Sequence, residues 1–78
     1  MATVKEELRD LKREILRSYN SGGQADLADG TRVTWNQCED PKYTSQGATR
    51  FVYVNVHNDS TGLHKTGHWD TENNCFVD

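Results

Sequence analysis

The stretch TRFVYVNVH, residues 49–57, constrains the fold more than any other part of the chain. Its strict alternation sends Val52, Val54 and Val56 to one side and Phe51, Tyr53, Asn55 and His57 to the other, a period of two that only an extended strand satisfies. One side of this strand is purely aliphatic and must be covered, whereas the other is mixed and tolerates water.

The covering element is written at the start of the chain. Val4, Leu8, Leu11 and Ile15 recur at spacings of four, three and four, and Leu16 and Tyr19 widen the stripe, which predicts an amphipathic helix over about residues 4–19. Thr3 and Glu6 have the form of a capping box at its start, and Asn20-Ser21-Gly22-Gly23 offers glycines for a left-handed stop. Two heptads are too few for a convincing coiled coil, so the stripe is assigned to the chain's own sheet in preference to a helical dimer.

From Gln24 to Val77 the period is two, and hairpin registers follow from which pairing keeps apolar residues together. Around ADG, a three-residue Ala28-Asp29-Gly30 loop with a left-handed Gly30 puts Ala25, Leu27, Val33 and Trp35 on one face, while a two-residue loop mixes charge into it. A four-residue turn over Asp59–Gly62 pairs Val52 with Trp69, Val54 with Gly67 and Val56 with Lys65. The same register sets His57 opposite His64, Asn55 opposite Thr66, Tyr53 opposite His68 and Phe51 opposite Asp70. It also predicts that Leu63 joins the valines under the helix, with only the Lys65 stem snorkelling out. Residues 36–48, which hold the only proline, have no periodicity and read as a long connection in which Tyr43 folds back over the edge of the core. A last short strand is expected at Cys75-Phe76-Val77.

These elements specify one α+β domain over residues 1–78: an N-terminal amphipathic helix packed on one face of a four- or five-stranded antiparallel sheet spanning about residues 24–77. A chain of 78 residues buries only about 60% of its unfolded surface and leaves little room for a catalytic cleft. With 33% hydrophobic residues its core is minimal, which makes self-association into a homodimer an expectation.

Charge narrows the functional classes. The net charge is −3, with five basic and four acidic residues in 1–23 against four basic and eight acidic in 24–78. The sheet region is therefore acidic and has no basic stripe for a phosphate backbone, so nucleic acid is a disfavoured partner. No apolar run is long enough for a signal-peptide core or a membrane span, so no membrane partner and a cytoplasmic location are expected. Asn58-Asp59-Ser60 matches the N-glycosylation pattern but carries no meaning without secretion. Cys38 and Cys75 are too few for a disulfide framework or a metal knuckle and read as free thiols.

The segment GLHKTGHWDTENNC, residues 62–75, holds two histidines four apart. On a helix, His64 and His68 would share a face as zinc ligands do, but Gly62, Thr66 and Gly67 disfavour a helix. On a strand their α-carbons stand about 13 Å apart, too far for one ion. Each histidine instead answers to its cross-strand neighbour. A single helix covers one face of a sheet, so Phe51, Tyr53, His57, His64, Thr66 and His68 form the predicted binding face, open or covered by a partner.

Aromatics set among polar groups have the composition of recognition surfaces, and the leading expectation is a non-enzymatic protein–protein interaction module, an accessory or inhibitory protein without a cofactor. The runner-up is a single-stranded nucleic-acid binder in which Phe51 and Tyr53 stack bases beside Arg50 and Lys65. A divalent-metal site at His57 and His64 comes next, short of a third ligand. Against these stands a plain half-solvated sheet whose residues simply favour strands. Catalysis by Cys38 or Cys75 with a histidine, or by His68 oriented by Asp70 or Glu72, ranks last.

Overall fold

The computed structural model describes residues 4–47 and 49–77. The elements are α1 (Val4–Asp10), α2 (Lys12–Arg17), β1 (Gly23–Asp26), β2 (Arg32–Gln37), α3 (Pro41–Thr44), β3 (Phe51–Asn58), β4 (Leu63–Asp70) and β5 (Cys75–Phe76). The strands form one antiparallel meander in the order β1-β2-β3-β4-β5. The fold is α+β, as the change of period predicts.

The N-terminal helix is shorter than predicted and is divided at Leu11, where ψ opens to 2°. Leu11 N–H still donates to Glu7 O at 3.0 Å and Ile15 N–H to Leu11 O at 2.9 Å, so α1 and α2 remain one helical path. It stops at Arg17, not Tyr19: the Ser18 amide still makes the helical bond to Glu14 O at 3.1 Å, but the Ser18 hydroxyl competes for the same carbonyl at 2.7 Å and ψ at Ser18 opens to 23°. The Ser18 hydroxyl in turn accepts from Trp35 Nε1 at 2.9 Å, pinning the helix end to β2. Tyr19, released from the helix, is buried and donates to Phe51 O at 2.9 Å, and its burial raises its pKa. Thr3, the predicted cap, lies outside the described residues.

Leu8, Ile15 and Tyr19 from the helical segment meet Val33, Trp35, Val52, Val54, Val56 and Trp69 from the sheet in one buried cluster. Val4, Leu11, Ala25, Leu27 and Phe76 pack around it. Each aliphatic side chain buried there contributes about 1.5–3 kcal/mol.

Both hairpin registers are those that the apolar pattern selects. Ala25 pairs with Val33 and Asp26 with Arg32, and Leu27 N–H reaches Thr31 O at 2.8 Å around the three-residue loop, in which Gly30 has φ +90°. Asp29 Oδ1 accepts from Thr31 N–H at 2.9 Å in that turn, which lowers its pKa. Between β3 and β4 the pairs run from Phe51–Asp70 to Asn58–Leu63, including His57–His64. Asn58 is buried and ties the two turns together: its Nδ2 donates to Thr31 Oγ1 at 3.1 Å and Asp29 O at 3.3 Å, and its Oδ1 accepts from Ser60 N–H at 2.9 Å. The glycosylation-like triplet is therefore a structural knot in which the amide nitrogen is already bonded.

Three sequence expectations need correction. Leu63 does not join the core but is 38% exposed, because it sits at the hairpin tip beyond the reach of the helix. The connection between β2 and β3 is not featureless: Asp40 Oδ1 accepts from Lys42 N–H at 3.0 Å and Pro41 follows at the first helical position, so a single turn, α3, forms. The last strand covers only Cys75 and Phe76, with Val77 adding a bond from its N–H to His68 O at 3.0 Å.

Candidate functional site: the sheet face opposite the helix

The odd-numbered residues of β3 and the even-numbered residues of β4 point away from the helix, so the six predicted face residues do share one side of the sheet. They do not share one environment. Phe51 is buried, enclosed with Cys38 and Tyr43 in a second, smaller cluster, and the Arg50 guanidinium lies 5.0 Å over its ring. The expectation of an open Phe51 fails because α3 folds back and lays Tyr43 on that end of the face.

Tyr43 continues onto His68, with ring centroids 4.4 Å apart and planes at 30°, and Tyr53 meets the same imidazole edge-on at 5.3 Å. The four rings Phe51, Tyr43, His68 and Tyr53 thus form a chain running from a covered end to an exposed one. Tyr53, at 40%, is the exposed terminus, held by a neighbouring ring in place of free rotation.

Beyond Tyr53 the face stays open. His57 is half-buried, and His64 and Thr66 are exposed. Register places Asp26, Arg32, His57 and His64 in one row across β1, β2, β3 and β4. Arg32 Nε bonds Asp26 Oδ1 at 2.8 Å, so the row has a neutralised end and an imidazole end. His57 stands between two shallow depressions. One, of about 400 Å³, runs towards His64, and the other, of about 380 Å³, runs towards Arg32, with Asn58 and Asp59 in the walls of both. Asn55 Oδ1, shielded from solvent beside the first, has no hydrogen-bond partner among the described residues.

The end of the face near Phe51 is fixed by an ion pair that sequence reasoning did not foresee. Asp70 is 2% exposed and receives Arg50 in a two-pronged contact, Nε to Oδ1 at 3.2 Å and a terminal nitrogen to Oδ2 at 3.0 Å. It also accepts from the Glu72 and Asn73 amides and from Asn73 Nδ2. The guanidinium, with these further donors, pulls the Asp70 carboxyl down to about 2 against the cost of burial. The register pair Phe51–Asp70 carried a trace of this, since a carboxylate opposite a buried ring needs a cation and Arg50 is adjacent in sequence.

These placements bear on the competing chemistries. The Phe51 ring is covered and cannot receive a base, Arg50 is engaged by Asp70 and Glu72, and Lys65 lies on the helix side with Nζ 4.6 Å from the Phe76 ring. A base-stacking face would thus keep Tyr53 and lose the two cations assigned to it. Among the described residues no group of three or more His, Cys, Asp or Glu is placed to hold a metal, and the His57–His64 pair gains no third ligand. Cys38 is buried, and the Asp70 carboxylate offered for orienting His68 is committed to Arg50. No described helix is long and apolar enough to cross a membrane. Comparison with protein-family models, with curated proteins and with solved structures finds no match.

Proposed function

We propose that the chain is a non-enzymatic protein-recognition module that docks a partner protein on the Tyr53, His57, His64 and Thr66 part of the sheet. The observation that carries this reading is the position of Tyr53: 40% exposed on the central strand of the sheet and braced edge-on by His68, with the His57–His64 row further along the same face. A large ring already ordered in the free protein gives up little rotamer entropy on binding, and tyrosine ranks with tryptophan and arginine among the residues that dominate interface energies. The surrounding histidine and threonine side chains supply both donors and acceptors at the rim.

The test is parallel affinity capture from the native host with wild-type and Tyr53→Ala protein. The reading expects a defined partner on the wild type that is lost from the variant, while the variant's thermal midpoint stays within a few degrees. Equal capture by both refutes it. A gel shift of single-stranded oligonucleotides at moderate salt would instead favour the nucleic-acid reading.

A further inference from the structure

The sheet has two edges, and they are not alike. β1 is four residues long and enters through Gly22 and Gly23, where an added Cβ at Gly23 would lie 2.7 Å from the Trp35 ring. β4 is eight residues long, yet β5 pairs only with Trp69 and Asp70, and Val77 adds one bond to His68 O. Since His68 O points away from β3 to meet Val77, the period of two sends the N–H and C=O groups of His64 and Thr66 to that same outer side. Among the described residues nothing pairs with them.

Proteins usually blunt such an edge with proline, a bulge or a projecting lysine. Here residues 63–66 include no proline and pair with β3 without a bulge, and the Lys65 side chain lies along the edge, its ammonium 4.6 Å from the Phe76 ring, in place of projecting outward across it. The exposed edge is thus intact over the four residues 63–66 and continuous with the open face through His64 and Thr66.

We infer that this β4 edge takes up an extended, acidic segment of the partner as a sixth, antiparallel strand, bonded to the backbones of His64 and Thr66. The inference rests on the protein-recognition reading above and adds what kind of segment is recognised. On the helix side, the incoming residue beside Lys65 is acidic, matching the one charge on that edge, and an apolar residue two positions away packs on Leu63, which is 38% exposed. A second copy of the chain fits less well. Two-fold pairing about Lys65 sets Lys65 against its own counterpart and brings the copy's Gly62 opposite His68, where Val77 already lies.

The experiment uses the full chain and a blocked synthetic tetrapeptide, threonine-glutamate-threonine-valine, followed by amide chemical shifts and hydrogen exchange. The expected result is perturbation and slowed exchange at the His64 and Thr66 amides, saturating in the millimolar range of about 1–5 mM. A peptide with lysine in place of glutamate should bind roughly three- to tenfold more weakly, and in Lys65→Glu the order of the two peptides should reverse. Equal binding of both peptides, perturbation confined to β1, or no perturbation by about 5 mM overturns the inference. Exchange protection at His64 and Thr66 that rises with the protein's own concentration, without peptide, also overturns it and assigns the edge to a second copy. Native-partner capture that survives Lys65→Glu but not Tyr53→Ala sinks the edge assignment and keeps the face; capture that survives both sinks both.

Discussion

Tyr43 lies on His68 with ring centroids 4.4 Å apart and planes at 30°, so a residue from the β2–β3 connection closes one end of a sheet face that the strand pattern leaves open. The same ring touches Phe51 at 5.1 Å and shares a buried cluster with Cys38. Tyr43→Ala should therefore uncover three groups at once. The expected cost is about 2–4 kcal/mol of folding stability, and Cys38 should change from inert to readily labelled by a thiol reagent in the native state. Slow Cys38 labelling in a folded Tyr43→Ala protein would mean that α3 does not cover this cluster.

Asp70 gives the fold a definite acid limit. Its carboxyl is held down to about 2 by Arg50, below its value in the unfolded chain near 3.9, so the unfolded state binds its proton first. The stability it contributes is complete above about pH 4 and is lost as pH falls from there towards 2. Asp70→Asn should lower stability at pH 7 by about 1–3 kcal/mol and flatten the drop between pH 4 and 2. Denaturant midpoints measured across that range check both.

The helix docks through Leu8 and Ile15, which are fully buried, and not through Leu16, which is 37% exposed. Leu8→Ala and Ile15→Ala should each cost about 2–5 kcal/mol, whereas Leu16→Ala should stay within about 0.5 kcal/mol. Equal effects at the three positions, read by urea unfolding, would place the helix in a different rotation.

Asn58 joins the β1–β2 turn to the β3–β4 turn through a buried amide. Asn58→Ala leaves Thr31 Oγ1 and the Ser60 amide without these bonds and should cost about 1–3 kcal/mol, with faster amide exchange at both turns at once. A response confined to one turn would show that the two are independent.

Much of this architecture is legible in residue order, and the reasons are physical. Val52, Val54 and Val56 admit one register against Trp69, Gly67 and Lys65, because a slip by one residue puts His64, Thr66 and His68 into the core, and the observed pairing follows. Ala28-Asp29-Gly30 is readable in the same way, since one loop length keeps Leu27 and Val33 on the apolar side. What periodicity does not carry is how far each element reaches. Leu63 has the correct parity for the core but lies past the end of the helix, and Phe51 has the parity of the open face but is covered by an aperiodic segment. The Asp40-Pro41 pair was a readable sign of that segment's helical turn, while the landing of Tyr43 on His68 depends on tertiary contacts that no local pattern encodes.

A partner protein seated on the open part of this face is detected by footprinting histidine and tyrosine side chains, together with backbone amide exchange, in the isolated chain and in its complex with the captured partner. Tyr53 and His64, both exposed in the free chain, are expected to become protected, while backbone amide exchange along the outer helix surface around Leu16 stays unchanged. Unchanged labelling at Tyr53 and His64, with slowed amide exchange appearing on the helix, would move the partner to the opposite side of the sheet and overturn the assignment.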